Sequence, residues 1–228
     1  MIDVAALTGR SAAHLVELVD GHRLQPEAVA AFRRLQTAAA QAGFNLQPAS
    51  TFRDFDRQLA IWNGKFRAQR PVLNSDSQPV DISSLNDAER GELILRWSAL
   101  PGSSRHHWGS DLDIYDPDLL PEGQKLQLEP WEYEAGGYFY RLNQWLTEHM
   151  AAFGFYRPFS QDTGGVAIEP WHLSYRPLAE QCERVLTPDV LQAAWQGVDL
   201  AGHDWIVSQL ERIFTQYVVN NGSQGPQE

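Results

Sequence analysis

The apolar and polar positions of this chain fall into helical stripes separated by short extended runs. Residues 25–43, "QPEAVAAFRRLQTAAAQAG", put Val29, Phe32, Leu35 and Ala39 on one stripe, with Pro26 suited to the first turn and Gly43 to the stop. "FNLQPASTF" (44–52) reads as extended, and "RDFDRQLAIWNGKF" (53–66) as a second amphipathic helix starting near Asp54. Residues 67–82 are polar and broken by prolines, which predicts a loop or flap beside a ligand site. A third helix is expected over 86–99 with Asn86 as its cap, followed by a long turn-rich connection after residue 115. "YFYRLNQWLTEHMAAFG" (138–154) reads as a helix, and "FYRPF" (155–159) and "VAIEPWHLSY" (166–175) as strands. Ile206, Leu210, Ile213, Phe214 and Tyr217 form one face of a helix over 203–218. The polar residues 220–228 are expected to be a disordered tail, leaving 1–219 as one domain with helical additions at both ends and no internal repeat or linker.

Composition narrows the classes of partner. The 228 residues suffice for a substantial core, and a net charge of −11 argues against nucleic acid and anionic membrane, both of which need clustered Lys and Arg. Cys182 is the single cysteine, so an intrachain disulfide and a Cys-rich zinc knuckle are excluded, and it reads as a buried or idle thiol. Asp3, Arg10, His14 and Glu17 interrupt the N-terminal stretch, so no signal peptide is read there, and no run approaches the ~18 apolar residues of a membrane span. The expectation is a cytoplasmic protein acting on a small partner, with nothing to set an oligomeric state.

Two stretches carry the candidate chemistry. "SRHHWGSDLD" (104–113) offers two histidines and two aspartates around a glycine, which alone suits either a metal site or a polar turn. "EPWHLSY" (169–175) sets Glu169 and His172 around Trp171 in an otherwise core-like segment. Burying a carboxylate and an imidazole unpaired is costly, and a single zinc ion would supply the reason: two His and one Asp as ligands, an open position for water, and a Glu beside it as base.

Ser104-x-His106-x-x-Gly109-x-Asp111-x-Asp113 followed by Glu169-x-Trp171-His172 resembles the paired signatures SxHxxGxAxD and ExWH of the LAS metallopeptidases, more narrowly the VanY-type D-alanyl-D-alanine carboxypeptidases. "STFRDFDRQ" (50–58) resembles the upstream SGYR segment with its Gln five residues after the Arg. The resemblance covers roughly 50–175. It implies an α+β fold, a small antiparallel sheet flanked by helices, and a zinc carboxypeptidase acting on peptidoglycan-type peptides or muropeptides. It further implies His106, Asp113 and His172 as zinc ligands, Glu169 as general base, and Arg53 as the group holding a substrate carboxylate or the oxyanion. Ser104 and Gln58 would support substrate or loop, and Trp171 would wall the site.

Several alternatives stand beside these assignments. His107 could replace His106 as ligand, Glu169 could merely orient a ligand, and Arg53 could pair with Asp54 or Asp56. Cleavage inside stem peptides, or zinc binding without turnover as in the hedgehog branch, are the rival functions. The bond could be D,D in pentapeptides or L,D in tetrapeptides, as in muropeptide recycling. Asp111 departs from the pattern, which has Ala there. Residues two apart on a strand share a face, so Asp111 is expected beside Asp113. There it could hold the side-chain amine of a stem peptide's third residue, or else pair with a local Arg such as Arg53 or orient a ligand histidine.

Overall fold

A four-stranded antiparallel sheet drawn from widely separated parts of the chain organises the molecule. The computed structural model describes residues 2–220. Helix α1 (Val4–Leu7) and the hairpin β1 (Val16–Val19) and β2 (His22–Leu24) precede α2 (Pro26–Gln41) and β3 (Gln47–Ser50). Helix α3 (Phe55–Phe66), the short hairpin β4 (Val72–Leu73) and β5 (Pro79–Val80), and α4 (Asp87–Leu95) follow. Next come β6 (Asp111–Tyr115), α5 (Pro130–Tyr133), α6 (Tyr140–His149), β7 (Phe155–Tyr156) and β8 (His172–Tyr175). The chain finishes with α7 (Arg176–Val185), α8 (Pro188–Ala194), α9 (His203–Ser208) and α10 (Leu210–Ile213), running into a π turn at Phe214–Val218. The main sheet has the order β3–β6–β8–β7, the small antiparallel sheet with flanking helices that the motifs implied.

Strand alternation makes this sheet a partition. Along β6, Leu112 and Ile114 point to one face and Asp111 and Asp113 to the other. Leu112, Ile114, Leu173 and Phe155 join the α2 stripe of Val29, Phe32, Leu35 and Ala39 in one buried apolar cluster. A second cluster gathers Trp62, Trp195, Ile206 and Ile213 from the helices with Trp108 and, from β7, Tyr156. Each fully buried side chain of this size contributes roughly 1.5–3 kcal/mol, so both clusters hold the sheet between them.

Several elements depart from the sequence expectations for identifiable reasons. The strand expected over 166–175 begins only at His172, because Pro170 has no N–H for a ladder and the His172 N–H instead closes a turn onto the Glu169 carbonyl at 3.1 Å. The helix expected over 203–218 breaks at Gln209, whose φ of −115° is not helical, although Ile206, Leu210, Ile213 and Tyr217 are buried as expected. The polar stretch 67–82 contains the β4–β5 hairpin, and the third helix is shorter, with a capping box between Asn86 and Glu89. Of the expected tail only Asn220 is described, where it bonds Thr163; the rest lies outside the described residues. No helix among the described residues is long and apolar enough to cross a membrane.

Candidate metal centre and cleft

Ser104 opens and Gly109 closes a 3-10 turn, Arg105–Trp108, that carries both adjacent histidines. Gly109 sits at φ +68°, where a Cβ would also lie 2.2 Å from Leu15 Cδ2, so the motif glycine meets a conformational and a packing demand together. Successive residues of such a turn point in different directions, and the two histidines find different partners. His107 Nδ1 lies 2.6 Å from the Arg53 carbonyl and accepts nothing, while Nε2 accepts the Gly102 N–H at 3.0 Å. A carbonyl only accepts and an amide N–H only donates, so His107 is the Nδ1–H tautomer with both nitrogens used. Burial pushes its pKa down to about 3, which keeps it neutral. It has no lone pair left for a metal.

His106 and His172 are arranged the other way. His106 Nδ1 donates to the Thr51 carbonyl at 2.8 Å, which leaves the Nε2 lone pair facing Asp113 Oδ2 at 3.4 Å. His172 Nε2 donates to Asp111 Oδ1 at 2.9 Å, which leaves Nδ1 facing Asp113 Oδ1 at 3.3 Å. Asp113 Oδ1 is buried without a hydrogen-bond partner. One nitrogen or oxygen from each of His106, Asp113 and His172 falls within 4.8 Å of the others, the one such group among the described residues. With His172 neutral, its Nδ1 lone pair converges with those of His106 Nε2 and Asp113, and this donor set of two imidazoles and a carboxylate suits zinc. The charges agree. Burial opposes a charged imidazole, yet the bonds to Asp111 and Asp113 push His172 up to about 9. Burial likewise opposes ionised Asp113, but His106 and His172 hold it well below the usual carboxylate range. The site asks for positive charge.

Backbone pairing sets this convergence. Asp113 and His172 are directly opposed across β6 and β8, and Ser50, one residue before Thr51, is opposed to Asp113 from β3. Glu169 and His172 are three apart, an odd spacing that a continuous strand would send to opposite faces. The turn at 169–172 instead brings Glu169 Oε2 to 3.5 Å from His172 Nδ1. Arg157 pins that turn by donating from Nε to the Pro170 carbonyl at 2.8 Å. Burial pushes the Glu169 carboxyl up to about 7; His172 opposes this, the Asp113 charge adds to it, and Arg53 and Lys65 oppose it.

These groups open on a cleft of about 270 Å³ lined also by Arg53, Ser104, Trp97, Phe159, Trp171 and Tyr217. The family model described as VanY, D-alanyl-D-alanine carboxypeptidase, matches residues 21–178, more than half of the chain. The chain belongs to the VanY family. An uncharacterised protein of Haemophilus influenzae is 51% identical over 122 residues, 53% of this chain and 93% of that protein. Among solved structures, VanYB in complex with D-alanine-D-alanine aligns with a TM-score of 0.53 at 21% identity, covering 86% of this chain and 90% of the other. A variant of the vancomycin resistance D,D-pentapeptidase VanY from the VanB-type cassette, in complex with Zn(II), aligns at 0.50 and 22% identity over 86% and 92%. At these identities the likeness is one of fold.

Within this VanY-family chain, Asp111 and Gln58 take the second of the roles expected for them, inside the fold rather than at the substrate. Asp111 shares the face of Asp113 as expected, but it is fully buried and accepts from Arg105, His172 and Ser110 rather than facing the cleft. Gln58 is also fully buried; its Oε1 accepts from Arg53 Nη1 at 2.8 Å while its Nε2 donates to the Ala99 carbonyl at 2.7 Å, so it braces Arg53 rather than lining the cleft. Arg53 does line the cleft, and it is not spent on the neighbouring acids: Asp54 caps α3 at Arg57 N and Asp56 pairs with Arg10. Ser104 and Trp171 stand in the lining, Trp171 as part of the α2-side cluster. Sequence reasoning missed Arg105, Tyr156 and Glu183, whose signal was a charged residue inside the motif and a Glu on the unassigned α7.

Proposed function

We propose that the protein is a zinc-dependent carboxypeptidase releasing a C-terminal D-amino acid, D-Ala foremost, from peptidoglycan-type peptides. The observation that carries this is the meeting of one possible ligand atom from each of His106, Asp113 and His172 beside a cleft-facing Glu169 whose carboxyl burial pushes up to about 7. His106 Nε2, an Asp113 oxygen and His172 Nδ1 would hold the ion. When bound, zinc supplies a Lewis acid that polarises the scissile carbonyl and makes water a nucleophile near neutral pH.

The remaining work falls to side chains. Glu169, poised near neutrality, takes the proton of the attacking water and returns it to the leaving amine. Arg53, held by Gln58, presents its guanidinium to the carboxylate of the substrate or to the negative charge developing on the carbonyl oxygen. Trp171, Trp97 and Phe159 give the cleft apolar walls that strengthen these charges by excluding water. The family membership, the D-Ala-D-Ala bound by VanYB and the Zn(II) bound by the VanY pentapeptidase support this reading. Its test is incubation of the zinc-loaded protein, with and without chelator, with pentapeptide and tetrapeptide muropeptides, read by mass. Chelator-sensitive loss of one terminal alanine from either substrate is the expected result and assigns D,D or L,D cleavage. Fragments cut inside the stem, or intact substrates despite bound zinc, would overturn it.

A further inference from the structure

Behind His172 lies a charged network made by residues to which the family signature gives no role. Asp111 stands where the pattern has Ala, and it is fully buried. Its Oδ1 accepts from Arg105 Nε at 2.8 Å and from His172 Nε2 at 2.9 Å, and its Oδ2 accepts from Ser110 Oγ at 2.5 Å. Arg105 is itself clamped: Nη1 donates to Glu183 Oε1 at 2.6 Å, and Nη2 donates to Tyr156 Oη at 2.7 Å and Ser174 Oγ at 2.8 Å. Its guanidinium also lies 4.6 Å from the centre of the Trp108 ring. Buried ion pairs are poor sources of stability, since apolar side chains of similar volume often serve as well or better. The network meets the candidate metal centre at the His172 Nε2–H.

We propose that Asp111, held in place by Arg105, is a positioning residue that fixes His172 in the Nε2–H tautomer and aims its Nδ1 at Asp113 and His106, so setting the affinity of the site for zinc. The inference rests on the zinc reading above but assigns Asp111 no contact with substrate. Three bonds on one carboxylate leave it no freedom to rotate, and an ionised acceptor on one imidazole nitrogen makes the other a better electron-pair donor. Arg105 is needed because a lone buried carboxylate would be strongly destabilising.

The experiment measures zinc affinity by chelator competition on stripped and reloaded protein. Asp111→Ala alone would leave the buried Arg105 Nε–H without its acceptor, so the informative variants are Asp111→Asn and the double variant Arg105→Met with Asp111→Ala. Outer-shell partners of metal-bound histidines are typically worth about 10–100-fold in metal affinity, and a weakening in that range is expected for the folded double variant, with a smaller one for Asp111→Asn. A purely structural role would change thermal stability and leave the zinc dissociation constant alone. In zinc-loaded wild-type protein with 15N-labelled histidine, His172 should show a protonated, slowly exchanging Nε2 and a metal-shifted Nδ1. An unprotonated Nε2 overturns the proposal even if both variants fail to fold. Wild-type affinity in the folded double variant overturns it alone; failure of the wild-type protein to bind zinc overturns the metal reading with it.

Discussion

The two faces of the central sheet are built from alternate residues of the same strands, yet they do different things. Toward α2, Leu112, Ile114, Leu173 and Phe155 pack into an apolar layer. On the opposite face, Asp111, Asp113, His172 and Ser174 carry a dense set of charges and hydrogen bonds. The helices of the second cluster, with Trp62, Trp195 and Ile206, lie in a layer that supplies bulk rather than ligands. Strand pairing sets Asp113 directly opposite His172, while the helical layer contributes Tyr217 to the cleft wall. Even the adjacent histidines divide this way: His106 turns to Asp113 and His107 to the backbone of Arg53 and Gly102.

That division can be broken by substitution. The largest effect is expected from the chemical face. Glu169→Gln should keep zinc and thermal stability but lose the ~10²–10⁴ in turnover that general acid–base catalysis contributes. Near-normal kcat in a zinc-replete Glu169→Gln protein would remove Glu169 from the mechanism. On the helical side, Trp62 is fully buried and donates to the Ala201 carbonyl at 2.9 Å. Trp62→Ala should cost ~3–5 kcal/mol of stability in denaturant titration while kcat per folded molecule stays close to wild type. Loss of zinc from a folded Trp62→Ala protein would show that the layers are not separable.

The paired histidines sharpen the comparison further. His107→Asn leaves buried backbone groups short of a partner, so a cost of about 1–3 kcal/mol is expected with stoichiometric zinc retained. His106→Asn should do the reverse, and metal analysis of the two variants with the zinc contents exchanged would contradict the tautomer argument. The smallest expected effect is on pH dependence. In metal-stripped protein, its bonds to Asp111 and Asp113 push His172 up to about 9 from the ordinary histidine value of 6.5, so the folded chain binds more protons than the unfolded one between these values. The stability this confers is complete below about pH 6.5 and is lost as pH rises through 9. The thermal midpoint of the stripped protein should therefore fall between pH 7 and 9 more steeply than that of His172→Asn; parallel curves would contradict the raised value.

What could be read from the sequence follows the same division. The α2 stripe and the Asn86 cap are local signals, and they form as read. His106, Asp113, His172 and Glu169 were legible because motif spacing reflects strand and turn geometry, and the structure brings them together. The turn that delivers Glu169 was not legible as a turn, because an apolar run around Pro170 mimics a strand. Helices α7 and α8 went unread although Pro177 and the Thr187 cap mark their starts. Asp111 was placed on the right face, but its partner Arg105 could not be chosen over Arg53 without the 3-10 turn that folds Arg105 underneath it.

The direct opposition of Asp113 and His172 across β6 and β8 has a consequence for how the chain reaches its native state. A slip of one residue along this ladder would swing Leu112 or Ile114 into the place of Asp113 and turn the carboxylate into the apolar layer. Such a chain could not complete the donor set. On the zinc reading proposed above, metal capture would act as a proofreading step on strand registry: the ion would favour the correctly paired conformer, and refolding in its presence should draw misregistered chains back toward the native alignment.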